Sequence, residues 1–369
     1  SAVQTSNPEV LKNIKRDNIS LEAMIGISHE AEARGANSFS ELILGLPGMT
    51  KDDHFKSVLE LVDAGINVVR SHQFLMLPGA EASNQQTREK YGLQTRFRIT
   101  PDTFDSYHLF EKSFFSPEID EVCVASDTMS FEEYVECRTL DLTVEIFYNN
   151  GIFKELLKFL KSNDILASLI ILKAHKQALR PDSLLAPVYE GFVHETKELF
   201  NTRKEAEAHI GQPGIIEQYR SGKLGNNEQY IYRALPLFNF MSELHQMTFD
   251  IALEVLENQG TLNEQRRSYL DELREFSLLR KRDLFLTDIT EKKIFHYDFV
   301  KLEEINFNID DPLSVYMSDG FNLEIKHTSS QKEHISKTLK MHGDSKNGLA
   351  TILSTGTHVN AFFREAKNV

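Results

Sequence analysis

Glu41 is the first residue of the chain whose placement asks for chemistry. It lies in Ala36–Lys51, ANSFSELILGLPGMTK, where Phe39, Glu41 and Ile43 alternate with Ser40, Leu42 and Leu44. That period of two predicts a strand with one carboxylate among apolar neighbours on a single face. Gly45-Leu46-Pro47-Gly48 then predicts a tight turn, and Thr50 with Asp53 three residues on predicts the N-cap and N3 of a helix. A carboxylate at the end of a strand before a glycine-rich turn suits ligand contact in an α/β barrel. It equally suits a carboxylate satisfied inside the sheet by an arginine such as Arg70. Arg70 and His72 share strand parity on the next apolar run, so either side chain is a candidate to meet a substrate.

Other reactive residue types carry less. Cys123 and Cys137 are the only cysteines, and their spacing matches neither a disulfide framework nor a metal-ligand run, so both read as small buried residues. His175, His194, His209 and His245 fall on predicted helices without the HExxH spacing of a zinc site and read as structural or exposed. The aromatic residues Tyr230, Tyr232, Phe238 and Phe240 read as packing.

The elements that position Glu41 follow from punctuation. Ala2–Thr5 is strand-like, and Ser6-Asn7-Pro8-Glu9 starts a helix with a cap followed by proline. Ser20 caps a second helix that ends near Gly35, where a left-handed cap is expected. A helix from Lys51 to Ala64 stops at Gly65, and Ile66–Phe74 is the next strand. Strand, helix, strand in this rhythm implies parallel pairing. Leu75–Thr100 reads as a loop-rich connection with Leu77-Pro78-Gly79. Helical periodicity then predicts helices near 130–149, 151–161, 164–179, 184–206, 228–258 and 262–282. From Leu284 the segments LFLTDI, KIFHYDFV, FNLEIKH and THVNAFF suggest short strands.

With 369 residues the chain has room for more than one core. Its 41% hydrophobic and 26% charged content is ordinary for a globular protein, and no apolar run approaches the roughly 20 residues of a membrane helix. A net charge of -14 with dispersed Lys and Arg argues against nucleic acid as a partner. No signal peptide is evident, which suggests the cytoplasm, while a start at Ser1 without methionine reads as a cut.

Taken together, VQTSNPEVLKNIKR, SELILGLPGMTKDD and FLMLPGAEAS resemble the second half of the radical S-adenosylmethionine (radical SAM) partial barrel, strands four to six. The wording is most similar to the subgroup with an upstream cobalamin-binding domain. The resemblance implies an α/β fold: the C-terminal half of a partial (βα)6 TIM-like barrel over residues 1–105, a mostly helical domain over 106–283, and a small β-rich segment over 284–369. It implies S-adenosylmethionine as cofactor, with Gln4, Arg16 and Glu41 near its methionine and ribose parts. Ile43 would pack beneath the adenine, and the backbone at Phe74, Leu75 and Met76 would lie beside it. Arg16 could pair with the cofactor carboxylate in a fork geometry, although by itself it suits a solvated helix end.

A [4Fe-4S] cluster and possibly cobalamin through an upstream domain are also implied, along with a small-molecule substrate and an electron donor such as flavodoxin or ferredoxin. The CxxxCxxC loop that holds the cluster is absent from this chain, as is the glycine-rich segment after the second strand, so the residues present describe half a cofactor site. The expected chemistry is a 5′-deoxyadenosyl radical serving methyl transfer or rearrangement, with this chain inactive alone. Two other readings stay open: a non-catalytic helical interaction module on a degenerate half-barrel, and a non-radical α/β-barrel enzyme.

Overall fold

The computed structural model describes residues 2–34, 36–101, 103, 106–309, 311–354 and 359–369. The expected cap at Gly35 lies outside them, as do Thr357 and His358 of the THVNAFF segment.

The chain opens with β1 (Ala2–Gln4), α1 (Pro8–Asn13), α2 (Leu21–Ala33), β2 (Phe39–Leu44), α3 (Lys51–Asp63) and β3 (Val68–Gln73). Asn7 caps α1 through its side chain with Pro8 in the first turn, and Thr50 and Asp53 form a reciprocal capping box on α3. Strands β1, β2 and β3 make one parallel sheet in that order. Glu41 is opposite Arg70 and Ile43 opposite His72, with an irregular step on β1 between Ala2 and Gln4. Ser40, Leu42 and Leu44 are buried whereas Phe39, Glu41 and Ile43 are not, so β2 has a covered and an open face.

After β3 come α4 (Gln85–Tyr91), β4 (Gln94–Ile99), β5 (Ser106–Leu109), β6 (Lys112–Phe115), β7 (Ile119–Ala125) and α5 (Phe131–Phe147). Strands β4 and β7 pair antiparallel, and Leu75 bridges Val122 of β7. The stretch read as a loop-rich connection therefore holds a strand. It has only two apolar residues, Phe97 and Ile99, which alternate with the partly buried Arg96 and Arg98, and Arg98 pairs with Asp120.

The chain continues through α6 (Lys154–Lys161), α7 (Ala167–Ala178), α8 (Ala186–Lys197), α9 (Arg203–Ile210), α10 (Ile215–Arg220), α11 (Glu228–Asn239), α12 (Met241–Asn258) and α13 (Glu264–Lys281). Two expected helices are each split in two. Thr202 caps α9 through its side chain, and Phe240, four residues after Pro236, leaves helical geometry before α12. The last elements are β8 (Thr290–Tyr297), α14 (Phe299–Glu304), β9 (Met317–Lys326), α15 (Ser329–His342), α16 (Lys346–Ser354) and β10 (Glu365–Asn368). Only KIFHYDFV and FNLEIKH contribute strands here; LFLTDI forms turns, and Val359–Phe362 is a short 3-10 helix. The segment is one three-stranded antiparallel sheet with helices, because a second capping box, Thr328 with Gln331, starts α15 where strand was expected to dominate.

Two compact units result. The first comprises residues 1–142 and 190–231, and its core gathers Val10, Leu44, Leu46, Met49, Val122, Val124 and Tyr134. The second comprises residues 143–189 and 232–369 and is centred on aromatic side chains, among them Phe276 stacked on Phe299 at 4.6 Å. Among the described residues no helix is long and apolar enough to cross a membrane.

Candidate functional site

Three loops meet beyond the carboxyl ends of β1, β2 and β3. After β1, the Asn13 side-chain amide at the end of α1 donates to the Pro47 carbonyl in the turn after β2 (3.0 Å). Two residues further, Lys15 pairs with Glu81, which follows β3, at 2.8 Å. The turn tolerates little else in its glycines. Gly48 has φ +83°, and a Cβ there would lie 2.7 Å from the Asn13 amide nitrogen. Gly45 has φ +90° and would bring a Cβ to 3.2 Å from the Cys123 carbonyl. The Met49 carbonyl accepts from the Thr128 hydroxyl at 2.8 Å, which ties the turn to the segment before α5.

Glu41 lies on the open face of β2 in this frame. Its Oε1 is 2.9 Å from His72 Nε2 on β3, so the partner of Glu41 is His72 and not the Arg70 considered from sequence. Arg70 instead lies over the Phe39 ring, 5.6 Å from its centroid, on the same face. Among the described residues the other carboxylate oxygen of Glu41 accepts no hydrogen bond. Arg16 is exposed just past the α1 C-cap, and among the described residues its guanidinium makes no ion pair or hydrogen bond. Gln4 ends β1 with φ +65° and is buried, opposite Leu42 in register. No hydrogen bond or ion pair joins Gln4 or Arg16 to Glu41 among the described residues.

Ile43 and Phe74 are partly buried against the apolar core of this unit, as is Leu75, while Met76 is fully buried. The main chain after β3 is mostly engaged: Phe74 N–H donates to Leu44, Met76 N–H to Glu121 and Leu77 N–H to Leu75. Among the described residues the Leu75 N–H has no acceptor, leaving one main-chain donor beside the end of the sheet. The carboxylate of Glu121 itself is forked by Arg88 at 2.6 and 2.9 Å and takes a bond from Thr95. The Arg88 hydrogen bonds hold the Glu121 carboxyl below the usual carboxylate range.

The opposite face of the sheet carries a group that sequence reading missed. Asp141 on α5 pairs with His54 on α3 at 2.9 Å and accepts from Ser71 of β3 at 2.8 Å, with the His54 and Asp141 side chains almost fully buried. Nothing local signals it, since the three residues are joined only by the fold. Burial pushes the Cys123 thiol up to about 12 and raises Cys137 as well, so neither is a ready thiolate. Among the described residues no group of three His, Cys, Asp or Glu could hold a metal ion. The two cysteines of the sequence do not fit a [4Fe-4S] cluster, and among the described residues one Glu41 carboxylate oxygen, the Arg16 guanidinium and the Leu75 N–H are left without hydrogen-bond partners.

Comparison with known proteins finds two distant relatives. The chain is 25% identical over 195 residues to 2-(S-pantetheinyl)-carbapenam-3-carboxylate methyltransferase from Streptantibioticus cattleyicolor. It is 24% identical over 195 residues to the cobalamin-dependent radical SAM methyltransferase TokK from Streptomyces tokunonensis. Each likeness takes in 51% of this chain, and the chain covers 27% of the length of either relative. No family model matches.

The four helical histidines have structural partners. His175 contacts Thr143 (2.7 Å), His194 pairs with Glu198 (3.5 Å), His209 packs on Phe200 and Tyr219, and His245 bonds the Met241 carbonyl (2.8 Å).

Proposed function

We propose that residues 1 to about 105 are the C-terminal half of a radical SAM barrel and that the chain is part of a cobalamin-linked methyltransferase or rearrangement enzyme. The observation that carries this reading is the Glu41 carboxylate on the open face of a parallel sheet, with one oxygen that has no donor among the described residues, in a unit whose Arg16 makes no ion pair among them. Arg16 would take the amino-acid carboxylate of S-adenosylmethionine, Glu41 the ribose hydroxyls, and the Leu75 N–H the adenine edge, with Ile43 and Phe74 as apolar walls and Gln4 at the end of β1. The similarity to two proteins named as methyltransferases supports the same reading.

When bound, S-adenosylmethionine supplies a transferable methyl group or, once reduced, a carbon-centred radical. This chain's part is to bind and orient it. The cluster lacks donors here, and cobalamin, the electron donor and a small-molecule substrate belong to the proposal for the full protein, as does the cytoplasm as its place. Saturation-transfer NMR titration of S-adenosylhomocysteine into the 369-residue chain tests the reading. Binding is expected, and Arg16→Ala and Glu41→Gln are each expected to weaken it by about tenfold or more, the worth of a hydrogen bond to a charged group. Absence of binding, or binding indifferent to both substitutions, overturns it.

A further inference from the structure

The contact between Glu41 and His72 crosses the sheet on a diagonal. In register Glu41 is opposite Arg70, and His72 is two residues further along β3, opposite Ile43. The hydrogen bond at 2.9 Å therefore draws the carboxylate toward the carboxyl end of the strands, where the three loops meet. Both side chains stay accessible, at 53% and 38% for His72 and Glu41, so the bond is not there to satisfy buried charge. It occupies Oε1 and leaves Oε2 as the acceptor.

We propose that His72 is the positioning residue of this site: its Nε2 holds Oε1 of Glu41 so that Oε2 presents to one hydroxyl of a ribose diol. The inference rests on the adenosyl reading above and adds a residue to it. A carboxylate without a hydrogen bond rotates and sweeps both oxygens through several orientations; fixing one oxygen fixes the other. A ligand with the diol gains from that fixing, and a ligand without it does not. Among the described residues, Arg70 lies on the same strand and face as His72, opposite Glu41 in register.

The test compares S-adenosylhomocysteine with its 2′,3′-dideoxy analogue by NMR titration in the 369-residue chain. Wild type is expected to prefer the diol ligand by tenfold or more. H72A and E41Q are expected to cut that preference to below about threefold while leaving the dideoxy analogue's affinity unchanged. H72Q, which returns an N–H donor, is expected to restore most of it. H72F keeps the ring and loses the donor, so it must behave as H72A does, and the decision stands even where H72A fails to fold.

A structural role for His72 predicts equal weakening of both ligands, which overturns the proposal. So does a preference that survives H72A or H72F. If wild type binds neither ligand, the adenosyl reading falls and this inference falls with it; if wild type binds both without preference, the diol assignment of Glu41 fails while binding itself stands.

Discussion

A histidine–carboxylate pair lies on each face of the sheet at β3, and the two do different things. On the covered face Ser71 donates to Asp141, which pairs with His54, and the side chains of Asp141 and His54 are 4% and 1% exposed. On the open face the very next residue, His72, pairs with Glu41 at the same 2.9 Å, with both side chains accessible to solvent. Distance does not separate the pairs; solvent does. A buried pair loses strongly when one member goes, because the other is left in a medium that cannot solvate it. An exposed pair contributes at most about 1 kcal/mol, since water replaces either partner. The covered pair thus joins α3 and α5 to the sheet, whereas the open pair leaves carboxylate capacity for a ligand.

The second unit supplies the extreme of the covered case, and the largest predicted effect. Lys281 on α13 is fully buried with Glu155 on α6, and its ammonium also meets the Ile152 carbonyl and the Ser277 hydroxyl. Burial works against both charges, yet Lys281 still holds the Glu155 carboxyl below the usual range. Lys281→Met is expected to cost about 3–5 kcal/mol by urea unfolding, and the double variant with Glu155→Leu to recover most of that loss. A single variant as stable as wild type would mean that water reaches the pair and that it belongs with His72 and Glu41.

The comparison between the two faces of β3 is sharpened by matched substitutions. His54→Ala is expected to cost about 3 kcal/mol, combining an orphaned carboxylate with a cavity, and His72→Ala less than about 0.5 kcal/mol. Urea midpoints followed by circular dichroism read both. Equal costs would erase the distinction between a pair that holds the fold and a pair available to a ligand.

How much of this was legible depends on whether the information is local. The caps of α1 and α3, the stop at Gly65 and the turn at Gly45–Gly48 follow from side chains that bond within four residues, and they stand as expected. The parity that Arg70 and His72 share was also readable, because successive side chains of a strand alternate, but not the face that it takes. Choosing His72 over Arg70 was not, since that depends on a diagonal across two strands and on Arg70 lying over Phe39. The triad of Ser71, Asp141 and His54 was invisible for the same reason at longer range. Strand β4 was missed although Arg96, Phe97, Arg98 and Ile99 alternate, because only two of its residues are apolar; Arg98 finds its partners, Asp120 and Gln73, through the fold.

His245 tests the role of cover through pH. It is completely buried; its Nδ1 faces the Met241 carbonyl, which only accepts, so that nitrogen carries the hydrogen. Its Nε2 lies 2.9 Å from the Ser277 hydroxyl, and Ser277 accepts from Lys281 at 3.0 Å. Burial, with the Lys281 ammonium nearby, lowers the pKa of His245 from 6.5 to about 3. A histidine depressed in the folded state contributes stability that is complete above the unfolded value and is lost as pH falls, because the unfolded chain takes up the proton and the folded one does not. The loss begins near pH 6.5 and reaches about 2 kcal/mol at pH 5, at 1.36 kcal/mol per unit of pKa difference. Glu155 does not confuse the window, since its carboxyl is held below 4.5 and titrates under it. Urea unfolding at pH 7 and pH 5 reads the difference, and His245→Gln, which cannot titrate, is expected to be less stable at pH 7 but to lose about 2 kcal/mol less on acidification. Identical losses in the two proteins would mean that His245 takes its proton in the folded state, and that complete cover does not set the behaviour of this side chain.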